Sequence, residues 1–268
     1  MRNFLAFGLL LLCTTAMAQE PSAATTIPKF DFAADAAKYS LQIRGSDQAC
    51  ELSQIDLLKW TNPIRGTAAG SVFFWTQGGV PQAACCMYAY RADGAYAVDH
   101  ELVSLAEEGV EARLDGQTVW RTEKPGVTWS AIPAGPAPAA NRAARLIQMR
   151  KIATSFTGYL GVPTVRQQEL RLLTQPIYRY PDGSDSDGAA FAFVQTTDPE
   201  VLLAIRANLR AEKPTWEFAA ARMTIVHTFL MAEDKVVWSV AWWNKNRDTN
   251  YVTRARVPYS ALDHDGDR

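Results

Sequence analysis

The feature that most limits what this chain can become is an echo of itself. At a constant spacing of 118 residues and without a gap, Gly70 matches Gly188, Phe73 matches Phe191, Gln77 matches Gln195, Pro81 matches Pro199, Ala89 matches Ala207, Val119 matches Val237 and Trp120 matches Trp238. The matches fall at the start of a strand-like run, at a Gln-x-x-x-Pro turn, and on a strand that follows a tight turn, Asp115-Gly116 in one copy and Glu233-Asp234 in the other. Upstream, Thr61-Asn62-Pro63-Ile64 resembles Thr174-Gln175-Pro176-Ile177. The identities are few and unrelated β-meanders share turn chemistry, so coincidence is the competing reading. Their placement favours two copies of one β-rich unit. Each copy is small for an independent core, so the two are expected to pack as one body.

Within the first copy, residues 70–76, 81–90, 96–105, 110–114 and 117–121 read as strands, separated by Gly- and Asp-containing turns. The run 83–90 is apolar on both parities, so that strand is expected to be covered on both faces. The second series comprises 169–174, 177–180, 189–195, 201–210, 216–231 with a break inside, and 235–242. Between them lies a Pro-Ala-Gly-rich stretch, 131–140, and then Asn141 as an N-cap for a helix to about Leu160. Leu146, Met149, Ala153, Phe156 and Leu160 recur there at steps of three and four. The expected class is α+β and β-rich, with antiparallel meander sheets in two pseudo-repeated halves joined by a linker helix. The expected division is a signal peptide at 1–18, a leader at 19–45, a first half at 46–130, the linker and helix at 131–161, a second half at 162–250 and a tail at 251–268.

The signal assignment rests on Arg2, the apolar run 4–12 and the small-x-small site Ala16-Met17-Ala18 before Gln19. It predicts a secreted or periplasmic protein. Lipidation at Cys13 is the weaker alternative, because Leu12 precedes it where a small residue is usual. Elsewhere no apolar run is long enough for a helical membrane span. A formal net charge of −1 argues against nucleic acid as a partner, and 48% apolar residues argue for a folded core. Export makes one disulfide among Cys50, Cys85 and Cys86 an expectation, with three buried thiols as the alternative. Cys85 and Cys86 are adjacent on a strand and must face opposite ways, so only one of them can readily meet Cys50.

Common catalytic spacings are missing. The chain has no G-x-S-x-G elbow, S-x-x-K, P-loop, G-x-G-x-x-G or H-E-x-x-H. Asp99-His100-Glu101 is the densest titratable cluster, and strand alternation sends His100 to one face and both acids to the other. The constant spacing sets Glu217 opposite Asp99, which makes a carboxylate pair across a pseudo-twofold axis a candidate for general acid-base chemistry. His100 and His227 read as satisfied sheet histidines, and no metal or cofactor is expected. The Asp- and Ser-rich segment 182–188 lacks the carboxylates of a calcium loop at the required places and reads as a hairpin tip. Trp120 and Trp238 occupy equivalent core positions. Trp242 and Trp243 are adjacent, so one should face outward, as a sugar-stacking platform or an interface residue, or else be covered by the chain's own edge.

The segments RLLTQPIYRY (171–180), GAAFAFVQTTDPEVLL (188–203) and AARLIQMRKIA (143–153) resemble those of a group of secreted proteins from planctomycete bacteria, over roughly residues 57–241. That group carries no assigned activity, ligand or catalytic residue, so the resemblance implies a bacterial exported protein and transfers no role to any position. The expected function is an exported, non-catalytic β-rich binding or structural module, with polysaccharide or another exported protein as partner. The alternative is an exported hydrolase of unfamiliar type using Asp99, His100, Glu101 and Glu217.

Overall fold

A computed structural model of the chain describes residues 27–258, apart from 54–55, 93–94, 133–134, 183–185 and 210–211. The expected signal, the start of the leader, residues 183–185 of the 182–188 tip and His264 lie outside the described residues.

The first half opens with α1 (Phe32–Ala37), capped by the Asp31 carboxylate, which accepts from the Ala34 amide at 3.0 Å. It continues through β1 (Tyr39–Ile43), β2 (Glu51–Leu52), β3 (Leu58–Asn62), β4 (Thr67–Gln77), β5 (Val80–Ala92), β6 (Ala95–Ser104), β7 (Val110–Leu114) and β8 (Gln117–Arg121). After β9 (Ser130–Ala131) comes α2 (Arg142–Ala153). The second half then runs through β10 (Phe156–Val162), β11 (Val165–Leu172), β12 (Tyr178–Arg179), β13 (Asp187–Gln195), β14 (Asp198–Asn208), β15 (Thr215–Arg222), β16 (Thr228–Ala232) and β17 (Lys235–Val240). β18 (Tyr251–Pro258) is last. The described strands pair antiparallel, and the fold is α+β and β-rich.

The pairing register repeats between the halves. In β4/β5, Trp75 faces Ala83 and Thr76 faces Pro81 across a bulge, and in β13/β14, Phe193 faces Val201 and Val194 faces Pro199 across a bulge at the corresponding place. β7/β8 and β16/β17 agree in the same way, with Ala112 opposite Trp120 and Leu230 opposite Trp238. Their turns also agree. Asp115 and Gly116 have φ of 49° and 79°, and Glu233 and Asp234 have φ of 49° and 60°, the left-handed pair that suits a two-residue hairpin loop. Gly70 and Gly188 are equivalent for a steric reason, because an added Cβ would lie 2.3 Å from Trp60 Cε2 in one half and 2.4 Å from Tyr180 Cε2 in the other.

Alternation along the long strands produces three apolar layers. Phe73 and Trp75 of β4, Cys85 and Met87 of β5 and Leu102 of β6 pack with Phe32 of α1, Leu41 of β1 and Trp120 of β8. In the second half, Phe191, Phe193, Leu203 and Trp216 pack with Met149 and Ile152 of α2. The opposite faces of the two sheets meet each other. Val72, Phe74, Ala84 and Cys86 pack against Ala190, Ala192, Leu202 and Ala221, and the alanines let the sheets approach closely. This is why residues 83–90 are apolar on both parities. The halves also exchange strands. β9, which follows the first half, pairs with β15, and β18, which follows the second, pairs with β6, where Thr253 faces Glu101.

Several sequence expectations change. The helix ends at Ala153 rather than near Leu160, and 156–162 is strand. Phe156 and Leu160 fit a four-residue step, but with Gly158 they also fit the two-residue alternation of β10, where all three are buried. The helix packs on β13 and β14 of the second half. The expected leader, 19–45, contains α1 and β1, whose Phe32, Ala36, Tyr39, Leu41 and Ile43 are buried. Residues 251–258 of the expected tail form the edge strand beside β6. Among the described residues no disulfide forms: Cys50, Cys85 and Cys86 are free thiols, with Cys85 in the first half's core and Cys86 on the opposite face, in the layer between the halves.

Candidate functional site

The even-numbered side chains of β5 and the odd-numbered side chains of β6 line the face that meets the second half. Toward one end of that face apolar residues give way to Tyr88 and Tyr90 on β5 and Asp99 and Glu101 on β6, where Tyr88 pairs with Asp99 and Cys86 with Glu101. The second half reaches over this end with Asp198, at the start of β14, and with residues 223–226 after β15. Together they enclose a cavity of about 430 Å³, with Trp60 and Arg65 on a further wall.

Arg65 is positioned by a 3-10 turn, Pro63–Arg65, whose cap is Asn62. The Asn62 Oδ1 accepts from the Arg65 amide at 3.3 Å, and its Nδ2 donates to Asp198 Oδ2 at 3.0 Å. The Arg65 guanidinium lies 3.2 Å from Asp198 and 2.7 Å from the buried Glu200, so one cation from the first half spans two acids of the second. Tyr88 donates to Glu101 Oε1 at 3.3 Å, and Tyr90 donates to Asp99 Oδ1 at 3.2 Å. Burial pushes the Glu101 carboxyl up to about 8. The Asp198 and Glu200 charges add to the rise, and hydrogen bonds from Tyr251 and Tyr88 oppose it. Asp198 and Glu200 are also raised, chiefly by burial, with Arg65 opposing the shift in both. The Tyr88 hydroxyl is raised by burial and by the neighbouring Glu101 and Asp99. The cavity therefore keeps a neutral carboxylic acid near physiological pH, able both to donate and to accept.

A second cavity, of about 480 Å³, occupies the corresponding place in the other half. At the 118-residue spacing Tyr88 corresponds to Arg206, Tyr90 to Asn208 and Asp99 to Glu217, while Asp198 and Glu200 correspond to Val80 and Gln82. The charges here are paired off. Arg206 donates to Glu217 at 2.8 Å and to Glu107 at 2.8 Å, and its guanidinium stacks on Trp129 at 3.9 Å. Asp187 is held by Arg142, Arg145 and Arg179. Of the two corresponding hollows, one holds ion pairs around Arg206 and Asp187, and the other holds aromatic rings beside the raised Glu101 carboxyl.

Neither a family model, nor a curated protein, nor a solved structure matches the chain.

The sequence-predicted residues divide as follows. Asp99 and Glu101 share the aromatic cavity, and His100 points to the other face of β6, where its Nδ1 is 2.8 Å from the Tyr39 hydroxyl and burial lowers its pKa. Glu217 keeps its equivalence to Asp99 but lines the other cavity, bonded to Arg206 and Asn208, so the structure does not join these two acids in one cleft. His227 lies 3.1 Å from the Ser239 hydroxyl. Trp243 packs in the layer between the halves, and Trp242 is 58% exposed. Among the described residues no group of three or more His, Cys, Asp and Glu side chains is placed to hold a metal ion. Sequence reasoning missed Arg65, Asp198 and Glu200. A signal for the last two did exist: Asp198-x-Glu200 alternates at the head of an apolar strand, so both acids must enter the core-facing side.

Proposed function

We propose that the chain is an exported, non-catalytic binding module whose ligand is a saccharide held in the aromatic cavity between the halves. The observation that carries this reading is the convergence of Trp60, Tyr88 and Tyr90 with the protonated Glu101 and with Asp99 in one cavity. Rings offer flat apolar faces to a sugar, and a neutral carboxyl offers both a donor and an acceptor to its hydroxyls. A neutral Glu101 and the Arg65 cation reduce the pull on a cationic ligand. The export half of the reading is supported by the signal-like segment 1–18 and by the resemblance to secreted planctomycete proteins.

One observation favours a second reading, an exported glycoside hydrolase. A carboxyl kept protonated near pH 7 beside other carboxylates is what a general acid requires. Titration calorimetry on the chain from Gln19 onward, with a panel of soluble glycans, tests both. Saturable binding that Tyr90→Ala abolishes, with no release of reducing ends, supports the module. Turnover that Glu101→Gln abolishes supports the hydrolase, and absence of binding across the panel overturns both.

A further inference from the structure

The wall of the aromatic cavity formed by residues 223–226 is held by Arg222, which is 4% exposed. Its Nε donates to Thr224 O at 2.8 Å, and its Nη2 donates to Ile225 O at 3.3 Å and Val226 O at 3.1 Å. The same Nη2 donates to Ala241 O at 2.8 Å, immediately before Trp242, and Nη1 donates to Asp248 at 3.0 Å. On the other side of Trp242, the Trp243 amide donates to Ile225 O at 2.8 Å and its indole Nε1 donates to Tyr251 O at 3.0 Å. The Trp243 ring packs edge-on against Tyr251, with centroids 5.7 Å apart. Both neighbours of Trp242 are thus pinned to the cavity wall, one through Arg222 and one through Ile225, while Trp242 itself is 58% exposed.

We infer that Trp242 is a second stacking platform, which takes the sugar units of an oligosaccharide that leave the cavity across Ile225. This rests on the saccharide reading above and extends it from a single bound unit to a chain. An exposed Trp on a stapled segment loses little freedom when it stacks, so its contribution to binding comes without a large ordering cost. Ile225, 45% exposed on the cavity wall, gives an apolar path between the two. The cavity has the volume of a small-ligand site, so a polymer must continue outside it.

The test uses ladders of two to six units from the cellulose, chitin and mannan series, titrated into the chain from Gln19 onward and into Trp242→Ala, Trp242→Phe and Tyr90→Ala. The expected result is that affinity rises with length in one series by about tenfold, the value of one aromatic stack. Trp242→Ala should lose that rise while binding the shortest member as the parent does, and Trp242→Phe should keep part of it. Binding lost in Tyr90→Ala but unchanged at every length in Trp242→Ala overturns this inference and leaves the cavity reading standing. No binding by any member of the three ladders overturns both. Because Trp242 is exposed, the thermal midpoint of Trp242→Ala should match the parent, which separates lost contact from lost fold.

Discussion

Replacing Glu101 with glutamine turns the buried acid into a permanent copy of its protonated form. Glu101 is 8% exposed, and its carboxyl is pushed up to about 8 from an ordinary 4.5 by burial and by the charges of Asp198 and Glu200. The folded chain then binds this proton more tightly than the unfolded chain does, so raising the pH works against folding. The shift corresponds to about 5 kcal/mol of stability, present in full below pH 4.5 and lost as pH climbs through 8. About 4 kcal/mol of that loss falls between pH 5 and pH 8.5. Glu101→Gln cannot lose it. Urea midpoints measured across that range should show the variant close to the parent at pH 5 and more stable by about 4 kcal/mol at pH 8.5, with unchanged slopes. Ionisable groups outside the cavity are common to both proteins and cancel in the difference. Parallel stability curves, or a variant destabilised at pH 8.5, would refute the claim that a protonated acid is buried between the halves.

Arg222→Met leaves the carbonyls of Thr224, Ile225, Val226 and Ala241 without their shared donor, and urea unfolding should show a loss of about 3–5 kcal/mol. Arg222→Lys should recover little of it, since an ammonium cannot reproduce the fork. Burial pushes the Cys50 thiol up to about 11 and raises Cys85 and Cys86 well above the ordinary value. A thiol reagent at pH 8 should therefore react slowly with the native chain from Gln19 onward and should find three thiols after denaturation. One thiol after denaturation would mean that a disulfide exists.

The β-rich class was legible because turn chemistry and alternation are local. Residues 110–114 and 117–121 are strands to the residue, and Asp115-Gly116 names its own turn. The opposite facing of His100 and of Asp99 with Glu101 was legible for the same reason. The cavity was not, because Arg65 on a 3-10 turn and Asp198 on β14 meet the β6 acids only when two sheets pack back to back. The 118-residue spacing pairs Asp99 with Glu217 as equivalents in register, opposite Tyr88 and Arg206, but equivalence under a repeat places groups in two like sites and does not bring them together. α1 and β1 were hidden in a polar leader although Tyr39, Leu41 and Ile43 alternate. β18 was hidden by the acidic residues that follow it.

The exchange of β9 and β18 bears on how the chain reaches its native state. Tyr251 must find Val103, and Ser130 must find Phe218, before either long sheet has its full complement of strands. Loops of this size close slowly, so formation of the two meanders should be quick and their mutual completion rate-limiting. Until β18 arrives, β6 presents an open row of backbone donors and acceptors. A refolding chain therefore spends its longest-lived stage with a bare edge beside the aromatic cavity, and crowding at that stage favours pairing between molecules over closure within one.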